Sequence, residues 1–332
     1  MANQTQAELF ARLQAAGVNP YAQGVSQADA ELYARLSAAA STTNGQAFHN
    51  QTLAEEYAAL SAASPLVLDQ LSALPAAAYS LRLLTGSYTG KCINVRRDSD
   101  NAAMDIGFVG NQIDVATLLA FVGSANGYAT AWYNQGSLGS SGNLTQSTAA
   151  FQPRVVASGV VEKQVGTSAL NFGYTAPCYF DWPSAATPSG TQPFAINIVA
   201  KYAYNASNVN ILAFGSNPYA GVEFGSPSGN IQVWTGTDHY DTGSTVGTSS
   251  PFIVTTAFNG ATATTSVRGN VVSTLAASPS LTAVATRLGQ GISSAYWSGT
   301  ICEVVVPLTA LATSDRADLE QNQELYFNIA GV

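Results

Sequence analysis

The sequence predicts a mainly β protein, an antiparallel jelly-roll sandwich preceded by a small α-helical N-terminal region and closed by a C-terminal helix. Three observations carry this expectation. Apolar residues recur at helical spacing up to residue 77, alternation of period two begins at Ala78, and short strands then follow at roughly ten-residue intervals between Gly-rich turns.

Residues 1–77 read as helices because Ala, Leu, Gln and Glu dominate and capping boxes open each apolar stripe. Thr5 with Glu8, Ser26 with Asp29 and Thr52 with Glu55 each place a hydroxyl three residues before a carboxylate, the arrangement that satisfies the orphan donors of a helix start. Ser64-Pro65 opens a fourth helix in the same way. Such short Ala-rich helices are marginal alone, so this region is expected to anchor the chain to a partner or to build an oligomer. From 78 to 332 the chain reads as one jelly-roll domain. Its clearest strand is 194–204, where Phe194, Ile196, Ile198, Ala200, Tyr202 and Tyr204 face one way. Further strands are expected at 209–214, 221–224, 231–234 and 252–258, a hairpin over 263–275 turning at Arg268-Gly269-Asn270, and an apolar strand at 300–307. A closing helix begins after the cap Ser314 and runs through Asp315, Leu319, Leu325 and Tyr326.

Composition narrows the function classes. Only 10% of the 332 residues are charged, and 12 Lys+Arg against 20 Asp+Glu, with no basic run, leave no electrostatic footprint for nucleic acid. No apolar stretch is long enough to span a bilayer, and the first residues lack the basic and apolar blocks of a secretion leader, so neither membrane insertion nor export by a leader is expected. Cys92, Cys178 and Cys302 are too far apart for a metal or redox spacing and are expected to be buried thiols. No metal and no cofactor is implied. Asp238-His239-Tyr240-Asp241 gathers the metal-capable side chains into one tetrad; it reads as a polar turn, with a ligand-facing loop or weak cation site as the alternative.

One ordered series is distinctive: Ala78-Tyr79-Ser80-Leu81-Arg82, Arg96-Arg97-Asp98-Ser99-Asp100, Leu118 to Gly123, Thr130-Ala131-Trp132-Tyr133-Asn134-Gln135, and Gln152-Pro153-Arg154-Val155-Val156. It resembles the opening of the catalytic domain of family-B α-L-arabinofuranosidases, a module that also occurs in bacteriophage structural proteins. The stretch from Ala169-Leu170-Asn171-Phe172 to Trp297-x-Gly299-Thr300-Ile301 is similar to laminin-G and concanavalin A-like jelly rolls. The resemblance implies two catalytic carboxylates close together, yet this chain departs from the pattern. Where the family has Asp-x-Glu, Val222-Glu223-Phe224-Gly225 places Glu223 on the Asp and Gly225 on the nucleophile; Leu288-Gly289-Gln290-Gly291 is followed by no acid before Trp297; and Cys178 precedes Tyr179 where the family has adjacent cysteines.

These departures predict no catalytic residues and no enzyme. They favour a phage virion protein, a fibre, spike or tail adhesin of homotrimeric type, exposed on the particle and contacting other virion proteins through its N-terminal helices and a host surface glycan through its jelly roll. A decoration or cement protein of the capsid or tail and an active α-L-arabinofuranosidase-like glycosidase are the alternatives. Sugars bind where aromatic faces and carboxylates converge, so the candidate glycan-binding residues are Asp181, Trp182, Glu223, Trp234, Asp238, Tyr240, Asp241 and Trp297.

Overall fold

A computed structural model describes residues 66–173, 177–203, 209–216, 218–225, 230–236, 238–247, 250–291 and 296–329. The capping boxes at Thr5, Ser26 and Thr52 and the Ser64-Pro65 start lie outside them. The strand Gly299–Val306 is the spine of the described unit. Its run of Ile301, Val304, Val305 and Val306 is apolar on both faces, as a strand covered from both sides must be. On one side it pairs antiparallel with Phe194–Tyr202, which continues through Phe252–Phe258 and Thr262–Val267 to the edge strand Asn270–Ala276. On the other side it pairs with Ala77–Ser80 and Leu170–Asn171, beyond which lie Arg154–Ala157, Gly127–Trp132 and Ile93–Arg97. The hairpin after Val267 turns through Arg268 and Gly269, both at positive φ (48° and 81°), the two-residue turn whose twist matches the flanking strands.

A second layer faces this sheet. Val209–Gly215, Tyr219–Gly225, Asn230–Gly236 and His239–Thr245 form an antiparallel meander. Thr286–Leu288 lies beside it, where the Gly289 N–H donates to the Ile211 carbonyl at 2.8 Å, and pairs in turn with Phe180–Trp182. Aromatic rings close the space between the layers: Phe194 stacks on Phe258 at 4.6 Å and meets Phe214 edge-on at 5.8 Å, while Tyr202, Phe224, Phe252 and Trp297 form a second cluster. The jelly-roll sandwich expected from the alternation is present.

The closing helix, Thr313–Phe327, covers the back of the first sheet with an unusually polar stripe of Asp315, Glu320 and Gln323 flanked by Leu319 and Phe327. Gln323 bonds to Asn197 and donates to Glu303 at 2.9 Å. Glu303 in turn receives Arg82 twice, at 2.8 and 3.0 Å. The helix begins at Thr313 with Ala312 as its cap and no side-chain capping bond, so Ser314 does not cap it.

Two other readings change. Val67 and Leu68 pack with Ala78, Val305 and Leu319, so the compact β unit begins at Leu66 and not at 78. A helix, Val115–Val122, interrupts the strands; Asp114 caps it by accepting from the Thr117 N–H and hydroxyl, a local signal that period-two counting passes over. All three cysteines are free and buried. Burial pushes the Cys178 thiol up to about 11 and those of Cys92 and Cys302 well above the usual range. The native protein is therefore expected to leave a disulfide-exchange reagent unreacted at neutral pH and to titrate three thiols once unfolded. A thiol reacting within seconds in the native state would contradict this burial.

Candidate functional site

Alternation along the second layer decides what faces outward. In Tyr219–Gly225, Val222 and Phe224 enter the core, so Glu223 points to the outer face. In Asn230–Gly236, Ile231 and Val233 point in, so Gln232 and Trp234 point out. The register then sets Glu223 opposite Gln232 and Gln232 opposite Asp241, one row across three strands, with Gly221, Trp234 and His239 forming the next row. Glu223 is only 3% exposed, and its Oε2 accepts the indole N–H of Trp234 at 2.5 Å. The Trp234 ring meets Tyr219 edge-on at 5.6 Å and His239 at 5.0 Å. Gln232 Oε1 is buried with no donor among the described residues, and Glu223 lies directly across the strand from it.

Asp241 stands at the exposed end of the row. Its Oδ2 accepts the Asn230 amide and its Oδ1 the Gly243 N–H, each at 2.8 Å, so both oxygens are held as acceptors. Two inter-strand spacings set the α-carbons of Glu223 and Asp241 about 10 Å apart with side chains on one face. This spacing sets the two acids in one row with Gln232 between them.

The outer face continues onto Thr286–Leu288 and Phe180–Trp182. There Asp181 pairs with Arg287 at 3.3 Å, and the Arg287 guanidinium lies 4.1 Å over the Tyr179 ring and bonds to Gln290. Tyr179 stacks between Phe151 at 5.1 Å and Tyr296 at 6.4 Å. This platform was not anticipated from sequence; the alternation Tyr179-Phe180-Asp181-Trp182, with Phe180 and Trp182 in the core, is the signal that contained it.

The eight candidate residues separate accordingly. Asp181, Glu223, Trp234 and Asp241 share the outer face. Asp238 and Tyr240 instead line a separate cleft of about 330 Å³ near Ala276 and Ala277, because Tyr240 pairs with inward-facing Val233. Two candidates are corrected: Trp182 (5% exposed) and Trp297 (1%) are core residues. The Trp182 indole is spent on the Ala186 carbonyl, and Trp297 packs among Tyr202, Phe224 and Phe252, so both rings are turned into the space between the layers and away from the outer face. The tetrad at 238–241 is also no simple turn, since His239, Tyr240 and Asp241 open an edge strand.

The sequence matches no family model and no curated protein sequence. The fold has solved counterparts. It is similar to an arabinofuranosidase complexed with arabinofuranosyl-α-1,2-xylobiose, at 13% identity and a TM-score of 0.61 over 77% of this chain and 63% of that one. It is also similar to a GH54 α-L-arabinofuranosidase, as a Glu-to-Gln mutant soaked with 4-nitrophenyl α-L-arabinofuranoside (14%, TM-score 0.59) and as a form soaked with a cyclic sulfate inhibitor (14%, TM-score 0.57); each alignment covers 75% of this chain and 62% of the other. The chain thus spans less than two thirds of the enzymes it resembles, and the likeness is one of fold. It supports the arabinofuranosidase-like sandwich, and it overturns the expectation of a non-catalytic phage display protein that is no enzyme. Strand register brings Asp241 into line with Glu223 from another strand, a juxtaposition that reading along the chain does not reveal.

Proposed function

We propose that this chain is a glycoside hydrolase acting on α-L-arabinofuranosides, with the outer face of the second layer as its site and Glu223 and Asp241 as its carboxyl pair. The observation that carries the reading is Glu223, a carboxyl side chain almost wholly withdrawn from water, oriented by Trp234 and in register with a solvent-facing Asp241. In this reading Glu223 protonates the glycosidic oxygen as the bond to the anomeric carbon breaks. Asp241 takes a proton from a water molecule that attacks the opposite face of the sugar. The Trp234 and Tyr219 rings offer apolar surface to the sugar, and Gln232 lies between the two acids.

The test is release of nitrophenol from 4-nitrophenyl α-L-arabinofuranoside by the full chain, with the anomer formed first followed by proton NMR. Release with inversion is the expected result. Release with retention would discard Asp241 as the base. No release from this substrate, and no arabinose liberated from arabinose-substituted xylan, would overturn the proposal.

A further inference from the structure

Away from that face, a cavity of about 460 Å³ opens beside the start of the Val115–Val122 helix, bounded by Tyr88, Lys91, Asp105, Phe108, Asp114 and Thr117. We propose that it is a second sugar site, non-catalytic, which holds a neutral pyranose by a pair of neighbouring hydroxyls. Its volume falls within the range of small-molecule sites. Its walls are built and not incidental. The Tyr88 hydroxyl donates to the Lys91 carbonyl at 2.7 Å, and its ring meets Phe108 edge-on at 6.3 Å. A Cβ at position 90 would lie 2.5 Å from the Tyr88 hydroxyl, so Gly90 lets that ring lie close over the backbone.

Asp105 is fixed from behind. Its Oδ1 accepts both the Tyr133 hydroxyl at 2.6 Å and the Asn94 amide at 2.7 Å, and Asn94 is itself held by Thr130 at 2.5 Å. Its Oδ2 has no donor among the described residues, and the Lys91 ammonium has no acceptor among them. Asp114 is already committed, with one oxygen to the Thr117 N–H and the other to its hydroxyl. The cavity therefore offers one oriented carboxylate oxygen, one ammonium and two ring edges. A vicinal diol matches this set, one hydroxyl donating to Asp105 and its neighbour accepting from Lys91, with the apolar side of the ring toward Phe108 and Tyr88. Two carboxylates against one lysine disfavour a phosphate or a uronate and select an uncharged sugar. None of these residues belongs to the row of Glu223, so the site stands or falls apart from the proposed hydrolysis.

Calorimetric titration of the full chain carrying Glu223→Gln with xylohexaose, cellohexaose and mannohexaose, each separately, tests it. At least one is expected to bind, and adding Lys91→Ala or Asp105→Asn should weaken that binding by about 10-fold or more, the cost of losing one charge-assisted bond, with unchanged melting. Lys91→Ala in the otherwise intact protein should leave nitrophenol release as it was. Binding of none of the three sugars, or equal affinity in both variants, would overturn the site. So would binding lost in Trp234→Ala but kept in Lys91→Ala, which would place the sugar on the outer face of the meander.

Discussion

Glu223→Gln is expected to lower arabinose release from arabinose-substituted xylan by about 10²- to 10⁴-fold, the usual contribution of a positioned general acid to the departure of an unactivated sugar oxygen, and to lower nitrophenol release far less. The substitution is nearly isosteric, and the amide oxygen can still accept the Trp234 indole N–H now bound at 2.5 Å. Packing is therefore retained, and the thermal midpoint should move little. Asp241→Asn should lower the rate as well while leaving substrate affinity close to that of the parent, since Asp241 acts on water and not on the sugar. Two controls make the result decisive. Added azide should restore turnover in Asp241→Asn by replacing the activated water, and it should do nothing for Glu223→Gln with a poor leaving group. Equal rates of arabinose release from arabinose-substituted xylan in Glu223→Gln and the parent would remove Glu223 from the chemistry.

The largest stability effect is expected at the back of the first sheet. Arg82 (7% exposed) reaches the wholly buried Glu303 with two guanidinium nitrogens, donates to Asn322 at 2.7 Å, and lies 4.1 Å over the Tyr326 ring. Arg82→Met removes the cation and leaves the buried Glu303 carboxylate with the Gln323 amide as its remaining side-chain donor among the described residues. The cost of breaking a buried pair from one side is about 3–5 kcal/mol, well above the cost of losing the methylene packing alone. Unfolding in urea should show that loss, and in a domain of this size the thermal midpoint should fall by about 10 °C. The double change Arg82→Met with Glu303→Leu should recover most of it, because the desolvated charge leaves together with its partner. A single-variant loss below about 1 kcal/mol, or no recovery in the double variant, would show that water reaches this interface.

The contrast between these two sites explains what was legible in the sequence. Period-two alternation over 194–202 and 252–258 reflects burial of one sheet face against the other layer, and it located those strands within a residue or two. The hairpin at Arg268-Gly269 was equally visible, since its turn needs positive φ at adjacent positions. Even the arabinofuranosidase-like fold was written in an ordered series of short motifs. By contrast, Trp182 and Trp297 looked like sugar platforms because strand-end aromatics serve as either core or binding residues, and only packing against Phe214 or against Tyr202 and Phe224 separates the two. The polar stripe of the closing helix gave no hint of an inward face, because Glu320 and Gln323 read as solvated until Ser266, Asn197 and Glu303 are placed beneath them.

By itself the sequence determined the class of fold, the order of most strands, the burial of the cysteines and the lack of a family-like acid at Gly225 and after Gly291. It determined these because each depends on periodicity or on residue type at a fixed place along the chain. Only the tertiary structure decided which carboxylates share one row of the sheet. Glu223 and Asp241 are 18 positions apart in the numbering, and no local pattern links them. Their alignment arises from the pairing of three strands, and strand register, set by turns and by burial of the opposite face, is a property of the assembled sheet.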